Sequence, residues 1–554
     1  MPRVYCVCLD GAPPTMITTL ARDGTMPAMA RILSNGWWTR ALPSLPTVTS
    51  VNWTTIVSGL HSGSHGRPYS DRPLRYFWEA LEEQGIPVGL ANIEHNEPAE
   101  KSFFVGHPET LSEAVRMRVQ SGAGGSVPLM AADGSVVAEV EFSLSDQLEF
   151  RVKGRTSASG RVPLGVLSQP VELVLEGDPP RRGCTAVRYD EKSSELYVSP
   201  LRSTRDFALP RKIEEKILEV AGLPPVKGFP LFHHGLADLD TALEEERRHA
   251  LWFARISGLI SRHDDALWFH RHNTTDGVGH FYLGLIDPQS ICYDPENLES
   301  NWDAVRRWYG TVDLILETIQ EQDPDAIFAM ATDHGNVGYR RVVSVSKALE
   351  QRGLVAASNE SPRQIDRGRS KVIVQNNEIF VNTSARDPPG PVPTDQYESV
   401  REDVIEVLRS LVDPQTKRHV VSVALRREEA SALRLWGRER GDIFFFLEEG
   451  YFSPDPAVPE EVFLSICPPG HSSQHHGCLP GYETEVGSMF SFMAFSIQNL
   501  RDAEPGAVHL VDFAPTVLSI FGVSADWLEG RSLMVEAPDH EEGSAKGSQR
   551  EVPT

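Results

Sequence analysis

The run Val4 to Leu9 is continuously apolar and ends in Asp10-Gly11, the pattern of a strand buried on both faces of a parallel sheet. Helical patterns follow, with Met16, Leu20, Met26 and Ile32 on one side. Leu74 to Glu83 reads as a helix stopped by Gly85, and Ile86 to Asn92 as a second strand. Ala266 to His270 and Ala326 to Thr332 repeat the buried-strand pattern, the latter after Trp308, Val312, Ile315 and Ile319 at helical spacing. The strand FSFMAF and the helix DFAPTVLSIFGV, with Pro515 in its first turn, end the series. Alternation of β and α at these lengths predicts an α/β fold, a mostly parallel central sheet with helices on both faces.

Two stretches interrupt this rhythm. Between about 106 and 205, SVVAEVEFSL, LEFRVKG, PVELVLEG, CTAVRYD and SELYVSP are short β-rich runs separated by Gly, Pro, Asp and Ser turns, which predicts an inserted all-β module. From 341 to 460 a small α+β subdomain holds EIFVN, a helix around YESVREDVIEVLRSLV, and GDIFFFLEEG. The predicted division is a catalytic core over 1–105, 206–340 and 461–536, the β module over 106–205, the subdomain over 341–460, and a polar tail over 537–554.

Composition narrows the partners. The 554 residues carry 53 Lys+Arg against 77 Asp+Glu, a net charge of −24, with 23% charged and 40% hydrophobic residues. That fits a soluble globular protein and excludes a disordered chain. The acidic balance argues against a nucleic-acid polymer or an anionic membrane surface, both of which need clustered Lys and Arg. It leaves room for a small anionic substrate drawn by a local metal or a helix end. Six scattered cysteines without a C-x-x-C pair predict reduced thiols, with Cys6 and Cys8 buried on one strand face. No stretch reaches the ~18 apolar residues of a membrane span, and the opening MPRVYCVCLDGAPP is too short for a signal-peptide core. The expected location is the cytoplasm.

Acids and histidines stand where strands should end. Asp10 follows the first strand, Asp276 and His280 lie in TTDGVGHFY, Asp333 and His334 in ATDHGN, and His471, His475 and His476 in PPGHSSQHHG. In open parallel sheets ligands bind outside the carboxyl ends of strands, so these groups can converge. Each alone has an ordinary explanation, such as a helix cap or a solvated loop; several together at strand ends suit metal. His and carboxylate mixtures without thiolate fit Zn²⁺, and also Mn²⁺ or Fe. Two such ions about 4 Å apart would stabilise both oxygens of a phosphoryl displacement.

In PSLPTVTSVNWTTIVSGLHSGSHG, Pro43 and Pro46 keep the approach extended before a helix over Ser50 to Leu60, ended near Gly59, with Thr49 at its N-cap. A Thr there can simply cap the helix, or serve as a nucleophile whose alkoxide the helix dipole and a metal favour.

The ordered set Asp10-Gly11, Thr49 before S-V-N-W-T-T-I-V-S-G, D-x-x-G-H, D-H-G and a late H-G resembles the alkaline phosphatase superfamily. Within it the chain is similar to the type I phosphodiesterase/nucleotide pyrophosphatase branch and to related predicted phosphohydrolase/phosphomutase proteins. Likeness to the latter covers most of the chain, through SELYVSP, EIFVN…DPPGPVP and DFAPTVLSIFGV. The resemblance implies two divalent metal ions. Asp10, Asp333 and His334 would hold one, with Thr49 bridging to it as nucleophile. Asp276, His280 and His476 would hold the other, His475 and His471 being alternatives to His476. The spacing from this histidine to FSFMAF departs from both relatives. Asn52 would donate to a phosphoryl oxygen, and His65 would be structural.

The expected activity is hydrolysis of a phosphodiester or nucleotide pyrophosphate through a covalent phosphothreonine, on a small phosphate-containing substrate. A phosphonate or phosphomonoester hydrolase, a phosphomutase, or a non-catalytic binding protein with the same fold are the alternatives. Homo-oligomerisation and the role of the β module stay open.

Overall fold

Eight strands form the central sheet: β1 (Arg3–Leu9), β2 (Trp37–Ala41), β3 (Val88–Ala91), β4 (Phe103–Val105), β5 (Ala208–Leu209), β6 (Ala266–His272), β7 (Ile327–Ala331) and β8 (Ser491–Phe495). Their spatial order is β5-β4-β3-β6-β1-β7-β8-β2. Only β5 and β8 run opposite to the rest, so the sheet is mostly parallel, as the apolar runs predict. The structure is a computed structural model that describes residues 2–93, 99–359, 363–386, 388–453, 458–464, 474–501 and 506–535.

Side chains of β1 divide between two cores because successive residues point to opposite faces. Tyr5, Val7 and Leu9 join one apolar cluster; Val4, Cys6 and Cys8 join the other. The first face is covered by α1 (Pro14–Arg22), α2 (Pro27–Asn35), α4 (Leu239–Ser257) and α5 (Leu298–Gln322), which contribute Leu20, Ile32, Phe253, Trp308 and Ile315. The second is covered by α3 (Thr49–Ser58) and α6 (Phe513–Ile520), with Trp53, Ile56, Phe513 and Val517. Each such side chain contributes roughly 1.5–3 kcal/mol on burial.

The chain between β4 and β5 builds a four-stranded antiparallel sheet from Gly124–Met130, Val136–Leu144, Gln147–Lys153 and Ser157–Pro163, and two three-stranded sheets, around a separate apolar cluster. The first and last of these four strands were not among the predicted runs, since Gly and Ser dilute their apolar alternation. Later, Val372–Gln375, Glu378–Val381, Ile443–Leu447 and Val421–Arg426 form a second mixed unit with the helix Tyr397–Ser410.

Three expectations change in detail. Strand β6 runs two residues beyond His270. Helix α3 begins at Thr49 with Val48 as its N-cap, so Thr49 is the first helical residue and does not cap. Cys6, Cys8, Cys184 and Cys478 are free and buried, but Cys292 is disulfide-bonded, so the reading of uniformly reduced thiols does not hold there. Among the described residues no helix is long and apolar enough to cross a membrane.

Candidate metal centre

Three carboxylates leave the carboxyl ends of three adjacent strands, β6, β1 and β7. Leu9 is in register with His272 and bridges Thr332, so Asp10 and Asp333 stand one residue beyond aligned strand ends. Asp276 lies four residues past His272 on the helical turn Thr274–Val278, which widens into a π turn over Gly279–Leu283 carrying His280. This single-turn π geometry recurs at functional sites. His280 Nε2 is 3.3 Å from Asp276 Oδ2.

Gly11 draws the carboxylates together. Its N–H donates to Asp333 Oδ1 at 2.9 Å, and Asn336 Nδ2 donates to its carbonyl at 2.7 Å. Its φ is +57°, and a Cβ there would lie 2.4 Å from Asp276 Oδ1, so glycine alone fits. Thr275 Oγ1 donates to the Asp10 carbonyl at 2.6 Å, tying the Asp276 turn to β1.

Charge is unbalanced here. Asp10 Oδ2 accepts from Trp53 Nε1 at 3.0 Å and from Arg271 Nη2 at 2.8 Å, while its Oδ1 is buried without a partner. Asp333 Oδ2 has the His334 ring beside it at 3.2 Å and no hydrogen bond. Burial, and then the Asp276 charge, raise the Asp10 carboxyl above its ordinary range. Burial and the Asp10 charge push Asp333 well above. Burial also opposes ionisation of Asp276, but its bond to His280 and that ring's charge win and hold it low. Burial keeps His334 and His476 toward the neutral form. Converging carboxylates with orphaned oxygens, beside neutral imidazoles and without thiolate, are the donor set of a divalent cation.

The ligand atoms of Asp10, Asp333 and His334 lie within 4.8 Å of one another, and so do those of Asp276, His334 and His476. His334 is common to both groups, and His280 flanks the second, its ring 5.6 Å from that of His476. The rings of His334 and His476 stack at 4.4 Å. His475 packs against Tyr339, Phe452 and Cys478 and belongs to neither group. His471 lies outside the described residues.

Thr49 reaches the same place from the far edge of the sheet. Its Oγ1 is 3.0 Å from His334 Nε2. The other ring nitrogen of His334 faces the Gly335 carbonyl at 3.3 Å, so Nδ1 carries the proton and Nε2 presents its lone pair. Thr47 fastens the two loops: its hydroxyl donates to the Cys478 carbonyl at 2.9 Å and accepts from Gly477 N at 2.8 Å.

The Asn52 amide faces the approach loop, away from the place where the resemblance puts a phosphoryl oxygen. It is fully buried; its Oδ1 accepts from Ser44 N at 2.7 Å, and its Nδ2 donates to the carbonyl of Ser44 at 3.0 Å, with those of Pro46 and Val48 at 3.4 and 3.3 Å. Its amide is saturated by the approach loop that leads into Thr49. Trp53, Arg271 and Asn336 touch the carboxylates and were not singled out from sequence. Asn336, two residues after His334, was the one readable signal; the others need the β1–β6 adjacency and the facing of α3.

A cavity of about 230 Å³ opens beside the centre, between Val48, His280 and His476 on one side and Asn376, Asn377, Phe445 and Phe452 on the other.

Residues 4–69, which include Asp10 and Thr49, match the family model of type I phosphodiesterase / nucleotide pyrophosphatase. No curated protein matches the chain. Among solved structures, the alkaline phosphatase PafA is 13% identical, covering 96% of this chain and 98% of its own at a TM-score of 0.50. Phosphonoacetate hydrolase from Sinorhizobium meliloti with phosphonoformate is 13% identical (93% and 94% covered, TM-score 0.44). Murine ectonucleotide pyrophosphatase / phosphodiesterase 5 with AMP is 10% identical (95% and 96% covered, TM-score 0.45). The first strand and the Thr49 helix thus match the type I phosphodiesterase / nucleotide pyrophosphatase family model, and the chain as a whole shares the fold of the alkaline phosphatase PafA.

Proposed function

We propose that the chain is a divalent-metal-dependent phosphoesterase that hydrolyses a phosphodiester or nucleotide pyrophosphate, with Thr49 as its nucleophile. The observation that carries this reading is the Thr49 hydroxyl 3.0 Å from His334 Nε2, where His334 belongs to both potential ligand groups. Asp10, Asp333 and His334 would hold one cation; Asp276, His280 and His476 would hold the other. Bound zinc, or manganese or iron in its place, supplies positive charge for the phosphoryl oxygens and lowers the pKa of a coordinated hydroxyl.

The chain's own residues do the rest. Position at the first turn of α3 adds the helix dipole to the stabilisation of a Thr49 alkoxide. Attack by Oγ1 forms a bond to phosphorus as the bond to the leaving oxygen breaks, giving a phosphothreonine that water then cleaves. The leaving group departs into the cavity beside His280 and His476, where Phe445 and Phe452 offer apolar walls to its organic part and Asn377 a polar one. Asn52 keeps Thr49 in register through the loop before it.

The test compares wild type with Thr49→Ala on a chromogenic phosphodiester, after loading with zinc or manganese. The variant is expected to lose turnover by on the order of 10³-fold or more while keeping its metal. Full turnover in a metal-loaded Thr49→Ala protein would rule the nucleophile out. A parallel assay on a phosphomonoester and a phosphonate ranks the substrate classes.

A further inference from the structure

Behind the centre, on the first face of the sheet, Glu246 and His249 of α4 meet His272 at the end of β6. All three are buried, at 0%, 3% and 1% exposure. Neither ring nitrogen of His249 nor of His272 has a hydrogen-bond partner. Buried polar groups are otherwise almost always paired, and four orphaned nitrogens, one from each ring facing the same carboxylate, need a common explanation. His249 Nδ1 lies 3.6 Å and His272 Nε2 3.9 Å from Glu246 Oε1, too far for hydrogen bonds. One ligand atom from each of the three residues falls within 4.8 Å of the other two.

We propose that Glu246, His249 and His272 form a separate buried site for a divalent cation, zinc being the best fit to a thiolate-free His–His–Glu set. A tetrahedral ion with bonds near 2.0 Å places its ligand atoms roughly 3.3 Å apart, so the two gaps to Glu246, 3.6 and 3.9 Å, lie within a few tenths of an ångström of that spacing. The carboxylate is already oriented: Oε2 accepts from Gly228 N at 2.9 Å, and Oε1 accepts from Thr274 Oγ1 at 2.5 Å while facing the rings. Such outer contacts fix the direction of a metal ligand. Burial holds both imidazoles neutral, the form that binds metal, with His272 pulled down to about 4. The His107 ring stacks on His249 at 5.5 Å between ring centres.

This inference is independent of the phosphoesterase reading. An ion here would clamp α4 to the end of β6, where the His272 carbonyl accepts from Asp10 N at 2.9 Å and the next turn carries Asp276. The site would therefore be a brace behind the candidate centre, with no substrate in reach.

Crystals of the full chain grown with zinc, measured at the zinc absorption edge, test it directly. An anomalous peak among Glu246, His249 and His272 is expected; peaks at the candidate centre alone, or none at all, overturn it. Metal analysis gives a second readout. The double variant Asp276→Asn/Asp333→Asn, which disrupts the candidate centre, should retain one zinc equivalent after desalting, and adding His249→Gln should remove it. Retention of no zinc by the double variant contradicts the proposal. If the triple variant fails to fold, the wild-type anomalous map decides.

Discussion

Asn52, three residues after the proposed nucleophile, makes its side-chain hydrogen bonds to the backbone of the approach loop. Its carboxamide joins Ser44 on both edges, so removing it strands a half-buried N–H and a half-buried carbonyl. Asn52→Ala should cost roughly 2–4 kcal/mol of stability, since each lost hydrogen bond is worth about 1 kcal/mol and the orphaned partners add to it. Denaturant unfolding measures this; a variant with native stability but weakened phosphoryl binding would restore the oxygen-binding role. From sequence, Asn52 could be placed on the helix but not turned inward, because its spacing from Thr49 fits a position facing the site or one facing the approach loop. Asp10 and Asp333 were legible for the opposite reason: an apolar run that stops at an acid fixes both the strand end and the position of the acid, whereas Asp276 was read from its spacing to His280 in TTDGVGHFY. Arg271 was not, because a guanidinium 261 positions along the chain from Asp10 meets it only after two strands pair.

At the scale of an element, helix α3 is locked at its middle as well as its start. Thr55 Oγ1 donates to Ser44 Oγ at 2.9 Å and stands 3.2 Å from His65 Nε2. Because the Arg67 N–H donates to His65 Nδ1 at 3.1 Å, the ring is neutral with its proton on Nε2, which donates to Thr55. Burial, then the Arg440 and Arg67 charges, pull this imidazole from 6.5 to about 3. The unfolded chain therefore takes up a proton near pH 6.5 that the folded chain refuses until about pH 3. The stabilisation is full above the unfolded value and drains away as pH falls, by roughly 1.4 kcal/mol per pH unit. His65→Gln should flatten that slope between pH 6 and 4, read from urea midpoints; parallel slopes in both proteins would show that His65 contributes none of it. The helix itself was readable from its Pro-flanked start and Gly59 end. The strands Gly124–Met130 and Ser157–Pro163 were not, because their pairing partners, more than their own residues, make them strands.

For the molecule as a whole, the centre gathers residues from near the start, middle and end of the chain onto one rim of one sheet. Three carboxylates placed there repel one another, and the cation proposed for the centre would offset that repulsion on folding. Chelation should accordingly lower the melting temperature, and zinc should restore it. A single site held at a thousandfold excess over its Kd adds about 4 kcal/mol. Calorimetry with and without chelator checks this, and an unmoved transition would mean that the carboxylates hold no ion tightly. The parallel core was legible because βα alternation leaves few topologies, whereas the cavity was not, since its far wall comes from the turn between Val372–Gln375 and Glu378–Val381, a subdomain away in sequence.

The long excursion between β4 and β5 begins and ends at neighbouring rungs, with Val105 opposite Ala208 and Gly106 N bonded to the Phe207 carbonyl at 2.8 Å. To the sheet, that whole segment is a hairpin turn. Chain statistics make its closure only about 2 kcal/mol dearer than that of a turn of several residues. Descent can therefore lengthen, shorten or exchange the module without redrawing a single strand of the core. One debt constrains any replacement: Leu167 and Tyr197 lie in the same apolar cluster as α4, so whatever fills the gap must offer that helix an oily face.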